Sequence, residues 1–162
     1  MKKITTVSYL AACIALASGA VQANGFNIGD TDVTFGGYVK LDAMYTDSSD
    51  GQIATGIGRD FYIPSLTPVG GADEGGTFDF HARQSRFFFK TNTKLENGKT
   101  LGGHIELDFM ATAGGDERIT NSYSPRLRQA FITYDGWLFG QTWTTFMDLN
   151  ALPDTLDFIG NT

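Results

Sequence analysis

The sequence predicts an all-β fold, a transmembrane antiparallel β-barrel, on three observations. The N-terminus carries an export leader, several segments of about ten residues alternate apolar and polar side chains, and the connections between them alternate short and long. In the leader, Lys2 and Lys3 supply a positive start and Ile4 to Leu16 an apolar run too short to cross a membrane as a helix. Val21-Gln22-Ala23 then offers small residues for cleavage, so residues 1–23 read as a signal peptide and residues 24–162 as the N-terminal part of the barrel. Leu10-Ala11-Ala12-Cys13 imitates a lipidation box, but the apolar run continues past Cys13 into Ile14-Ala15-Leu16.

Composition narrows the class. The chain has 12 Lys and Arg against 18 Asp and Glu, and the leader removes two of the basic residues together with the single Cys. Without cysteines no disulfide scaffold is available, and an acidic balance argues against nucleic acid as a partner. Twenty Gly, 13 Phe and 41% hydrophobic residues suit strands that are apolar on one side only.

Period-two alternation appears in five segments. In the first, Val33, Phe35, Gly37, Val39, Leu41, Ala43 and Tyr45 share one face and Asp32, Thr34, Lys40 and Asp42 the other, with Tyr38 and Met44 as exceptions. The second, 78–95, changes phase: Phe78, Phe80 and Ala82 are even, whereas Ser85, Phe87 and Phe89 are odd, which a β-bulge near Gln84 would reconcile. The third sets Leu101, Gly103, Ile105, Leu107, Phe109 and Ala111 against Thr100, Gly102, His104, Glu106, Asp108 and Met110; a helix would scatter these charges around its circumference. The fourth, 126–134, puts Leu127 and Phe131 against Arg126, Arg128 and Ala130. The fifth, 137–145, sets Trp137, Phe139 and Trp143 against Gly140, Thr142 and Thr144.

Asn97-Gly98 and Asp135-Gly136 read as tight type I′ hairpin turns, while 47–77 and 112–125 are long and rich in Gly, Asp and Ser. Short turns therefore gather at one end of the sheet and long loops at the other, and Trp137 falls in an aromatic girdle at the short-turn end. A soluble antiparallel sandwich also alternates, but its strands usually run only about five or six residues. Five strands are fewer than the roughly eight of the smallest single-chain barrels, so the sequence is expected to be part of a longer one.

The stretches FGGYVKLDAMY, HARQSRFFFKTNT, LGGHIELDF, SPRLRQAFITYDGWLFGQTWTTFMD and LPDTLDFIG resemble, in that order, the start of the DcaP-like outer-membrane porins of Gram-negative bacteria. The resemblance implies a trimeric barrel of about sixteen strands that passively passes small hydrophilic solutes, with dicarboxylates and related anions favoured. Its implied partners are outer-membrane lipids, small anionic solutes and two further copies of the chain; no cofactor is implied. Some members carry a periplasmic coiled coil before the barrel; here about seven residues separate the expected cleavage site from the first alternating segment, a departure from that pattern.

The candidate pathway residues are Arg83 and Arg86 on the second segment and Arg126 and Arg128 on the fourth, with Lys40 and Lys90 nearby. A charge on the lipid face near the midplane costs about 2–4 kcal/mol, so these groups should face the lumen or lie near an interface. Arg83 and Arg86 differ in parity and can both face inward only across the proposed bulge. Glu106 and Asp108, on the strand between, would partly neutralise the patch, and simple pairing of the arginines with such carboxylates is the plain alternative. Asp148, Asp154 and Asp157 lie among Leu149, Leu152, Pro153, Leu156, Phe158 and Ile159. Resemblance to porins implies that this is an inward-folding constriction loop whose carboxylates face the arginines; an ordinary external loop is the alternative.

His104, Glu106 and Asp108 share a face and raise the question of a barrel hydrolase, but no nucleophile and base pair with them. At alternate positions of a strand they span about 13 Å, too far for one metal ion. Gly56-Ile57-Gly58 lacks the preceding strand and following helix of a nucleotide loop.

Overall fold

The computed structural model describes residues 21–54, 56–61, 63–111, 120, 122–148 and 151. Eight strands occur there: β1 (Val21–Ile28), β2 (Thr31–Tyr38), β3 (Asp42–Thr46), β4 (Thr77–His81), β5 (Arg86–Lys94), β6 (Thr100–Asp108), β7 (Arg126–Tyr134) and β8 (Trp137–Gln141). A helical turn, α1 (Ile57–Asp60), and a 3₁₀ turn, Pro64–Leu66, lie between β3 and β4. All pairings are antiparallel: β1-β2-β5-β6-β7-β8 make one sheet and β3-β4 a two-stranded ribbon, and neither closes on itself. No helix among the described residues is long and apolar enough to cross a membrane.

β3 continues the line of β2, and β4 that of β5, so the first two predicted segments are long strands interrupted midway. The cause is one extra residue. Tyr38 pairs with Arg86 and Asp42 with His81, four steps along one strand against five along the other. The surplus sits at Ala82 to Ser85, where the Ser85 N–H donates to the Ala82 carbonyl at 3.0 Å, which is the bulge the phase change at Gln84 predicts. Ser85 also repairs the interrupted ladder, its hydroxyl accepting the Lys40 N–H at 3.0 Å and donating to the Lys40 carbonyl at 3.3 Å. On the far side, the Phe109 N–H donates to the Arg83 carbonyl at 3.0 Å.

A second bulge is absent from the sequence reading. Glu106 pairs with Gln129 but Leu107 with Leu127, so Arg128 is the extra residue of β7. Beyond it the faces exchange: Ala130 pairs with Ile105 on the apolar side, and Phe131 pairs with His104 on the charged side, the reverse of the expected assignment.

Packing is inverted relative to a water-soluble domain. Among the described residues Met110, at 2% exposure, is the one buried hydrophobic side chain, whereas Asp42, Asp60, His81, Gln84, Glu106 and Asp108 are buried. Phe26, Ile28, Phe35, Phe89, Ile105, Leu127, Ile132, Trp137 and Phe139 are exposed and lie on one face of the sheet, with the Phe35 and Phe89 rings 4.9 Å apart across β2 and β5. An apolar face of this extent suits hydrocarbon.

β1 is an unpredicted sixth strand in the main sheet. It joins β2 through Gly29-Asp30, with Gly29 at φ 58, the positive value a Gly-first hairpin turn requires. Asp135 (φ 49) and Gly136 (φ 82) form the expected type I′ turn. Asn97 does not: of that pair only Gly98 has positive φ, at 78, and the Gly98 N–H donates to the Leu95 carbonyl and the Leu95 N–H to the Lys99 carbonyl, both at 2.9 Å. This is the longer hairpin loop with a glycine bulge. The short connections do fall at one end, where Lys99 pairs with Asp135 and the Asn97 amide donates to the Tyr134 hydroxyl at 3.1 Å.

Gly37, next to the interruption, has φ 151, and a Cβ there would stand 2.1 Å from the Arg86 carbonyl oxygen. Gly37→Ala is therefore expected to cost about 3 kcal/mol or more. Loss of the heat-modifiable folded band on a denaturing gel measures it; unchanged mobility and melting would show that the strands can part there.

Candidate functional site

The charged face carries two adjoining clusters, each built by one bulge. In the first, β6 projects Glu106 and Asp108 between β5 and β7. Asp108, at 0% exposure, accepts a two-pronged contact from Arg126, Nε to Oδ1 at 2.8 Å and Nη2 to Oδ2 at 2.6 Å. Its Oδ2 also accepts Arg128 Nη1 at 2.8 Å, and its Oδ1 the Met110 N–H at 3.2 Å. Arg128 spans both acids, donating from Nε to Glu106 Oε1 at 3.0 Å. The same Glu106 oxygen receives Gln129 Nε2 at 3.3 Å and lies 3.4 Å from Arg86 Nη1. The bulge at Arg128 is what lets Arg126, Arg128 and Gln129 reach one face.

Aromatic rings bound this cluster. Arg86 lies over Tyr38 with its guanidinium carbon 5.4 Å from the ring centre, and Arg128 over Trp143 at 5.6 Å. Trp143 was expected on the apolar face, but β8 ends at Gln141 and frees the indole to turn back. Arg126, Arg128, Gln129, Gln141, Thr142 and Trp143 line an open recess of about 360 Å³. With a side-chain exposure of 31%, Arg126 is its most accessible charge, against 10% for Arg128.

The second cluster lies around the interruption. Lys40 Nζ is 3.2 Å from Asp42 Oδ1, and His81 stands between two acids, Nδ1 at 3.8 Å from Asp42 Oδ2 and Nε2 at 3.5 Å from Asp60 Oδ1. Arg83 pairs with Asp60 and places its guanidinium 5.0 Å from the Tyr123 ring centre. Arg59 binds Asp79, Nε to Oδ2 at 2.8 Å and Nη2 to Oδ1 at 2.6 Å.

The sequence candidates Lys40, Arg83, Arg86, Glu106, Asp108, Arg126 and Arg128 thus share the charged face, and each arginine has a carboxylate partner. Lys90 lies over the Phe88 ring at 5.0 Å. Asp148 is exposed beyond β8, and Asp154 and Asp157 lie outside the described residues. Sequence reasoning missed Arg59, Asp60, Asp79, His81, Gln129 and Tyr123. Strand parity could have offered Asp79 and His81, which pair across the ribbon with Met44 and Asp42; Asp60, in a long connection, gives no periodic signal. His104 is stacked between Phe88 and Phe131, ring centres 5.7 and 5.0 Å away, which gives it a packing role. Among the described residues no three His, Cys, Asp or Glu side chains are grouped to hold a metal ion.

An antiparallel sheet with bare aromatics on one side and interleaved arginines and carboxylates on the other is the wall of an outer-membrane protein of the porin kind. The chain belongs to the DcaP outer membrane protein family, whose model matches residues 18–162. That family is porin-like and non-enzymatic in kind, and its place is the outer membrane. No curated protein and no solved structure matches the chain.

Proposed function

We propose that the protein is a passive diffusion channel for small hydrophilic solutes, with anions such as dicarboxylates favoured, in the outer membrane of a Gram-negative bacterium. In this reading the sheet is part of a barrel of about sixteen strands, its charged face lines the lumen, and three copies assemble. The observation that carries it is the arginine row: Arg83, Arg86, Arg126 and Arg128 all reach the charged face, Arg83 despite its opposite parity, because the bulge between His81 and Arg86 turns it there. At the level of the first cluster, Arg86, Arg126 and Arg128 gather around Glu106 and Asp108, which sets three guanidinium groups along the proposed pathway. Guanidinium groups suit carboxylates because they present paired donors in a plane, and a solute can exchange with an internal partner of the same chemistry. Local charge at the narrow part, rather than the acidic total, decides which ion passes.

Purified full-length protein in a planar bilayer should give stepwise conductance with a reversal potential on the anion side under a salt gradient. Absence of steps, or a clear cation preference, would overturn the reading. His104, stacked between two phenylalanines, supports no hydrolase chemistry.

A further inference from the structure

We propose that the first long connection, between β3 and β4, is an element that narrows the channel, with Asp60 as its constriction carboxylate; this rests on the channel reading above. The sequence pointed instead to the acidic stretch after β8. Three observations support the first connection. It is folded upon itself: the Gly71 N–H donates to the Asp50 carbonyl at 3.1 Å, Gln52 Nε2 to the Glu74 carbonyl at 3.3 Å, and Gly58 packs beneath Ile53 and Leu66, where a Cβ would lie 3.1 Å from each. A loop closed by its own contacts holds a shape.

It is also fastened to the charged face rather than standing clear of it. Asp60, its side chain 2% exposed, pairs with Arg83 and approaches His81, while the neighbouring Arg59 grips Asp79 on β4 through two contacts. Register across the interruption places Asp42 and His81 on the same face as Tyr38 and Arg86, so the attached turn lies on the side of the arginines. Finally, Arg83 joins two connections, because Tyr123, from the segment between β6 and β7, covers the guanidinium that Asp60 holds. Asp60 therefore brings negative charge from one connection against the arginine row, and opposed charges at a narrow point orient and select the solute.

Bilayer recordings on the full-length protein test this. Arg59→Asp places like charges together at Asp79 and is expected to raise single-channel conductance about twofold by releasing the turn. Adding Asp79→Arg should return it to the original value, a rescue that misfolding would not produce. Asp60→Asn, nearly the same in shape, should shift the reversal potential towards anions. If the unaltered protein conducts while Arg59→Asp and Asp60→Asn match it in both measurements, or if the double variant stays at the raised conductance, this inference is overturned and the channel reading stands. No conductance from the unaltered protein overturns both.

Discussion

Changing Arg126 and Arg128 together to Ala is expected to move the reversal potential of the full-length protein towards cations and to slow succinate uptake. The first cluster then loses two positive charges while Glu106 and Asp108 remain, so its local charge becomes more negative. Two charges removed at about 7 Å from a passing ion alter its energy by roughly 1 kcal/mol in a water-like medium. After screening at physiological salt, the anion-to-cation permeability ratio should fall about fivefold. Asp108→Asn tests the same geometry with the opposite sign, since it leaves Arg126 and Arg128 facing one charge fewer and should raise that ratio. It also breaks a buried pair, a change that costs about 3–5 kcal/mol where no solvent enters. With Arg126 31% exposed, water can replace part of what is lost, and the lower end is expected. If both variants fold and permeability stays where it was, the arginines do not line the pathway.

Phe89→Arg is expected to destabilise the folded protein by about 2–4 kcal/mol, the usual cost of a cation near the middle of a lipid-facing strand. Its neighbour provides the control. Phe88 pairs in register with Glu106 on the charged face, so Phe88→Arg gains an acidic partner and should be tolerated. Urea unfolding in lipid vesicles, followed through Trp137 and Trp143, separates the two. Equal sensitivity at both positions would contradict the assignment of faces.

Sequence revealed the wall of this protein better than its furnishings. Alternation is visible because a strand repeats every two residues, and the bulge at Gln84 is visible because phenylalanines of opposite parity flank it. The bulge at Arg128 left no such trace: polar Arg126 and Arg128 fit one parity, and small Ala130 beside Phe131 fits either. β1 escaped notice because Asn24, Gly25 and Asn27 leave only Phe26 and Ile28 to carry its pattern, although Gly29-Asp30 is a legitimate hairpin signal. The turn at Asn97-Gly98 was placed correctly but mistyped, since the same dipeptide serves both a two-residue turn and a longer loop. The attachment of Asp60 to Arg83 and His81 joins a connection to a strand, and no repeat in the sequence encodes it.

With Met110 as the buried hydrophobic side chain among the described residues and phenylalanines bare along one face, this sheet has little apolar material to collapse around in water. Dilution from denaturant into buffer would offer the chain only other chains on which to bury its aromatics. Detergent or lipid is thus a reactant in its folding as much as a medium, because it supplies the contacts that a core supplies elsewhere. The same physics bears on the crossing from the site of synthesis to the outer membrane: the aromatic face has to be shielded throughout the aqueous part of that journey, and the shield has to let go where hydrocarbon takes over.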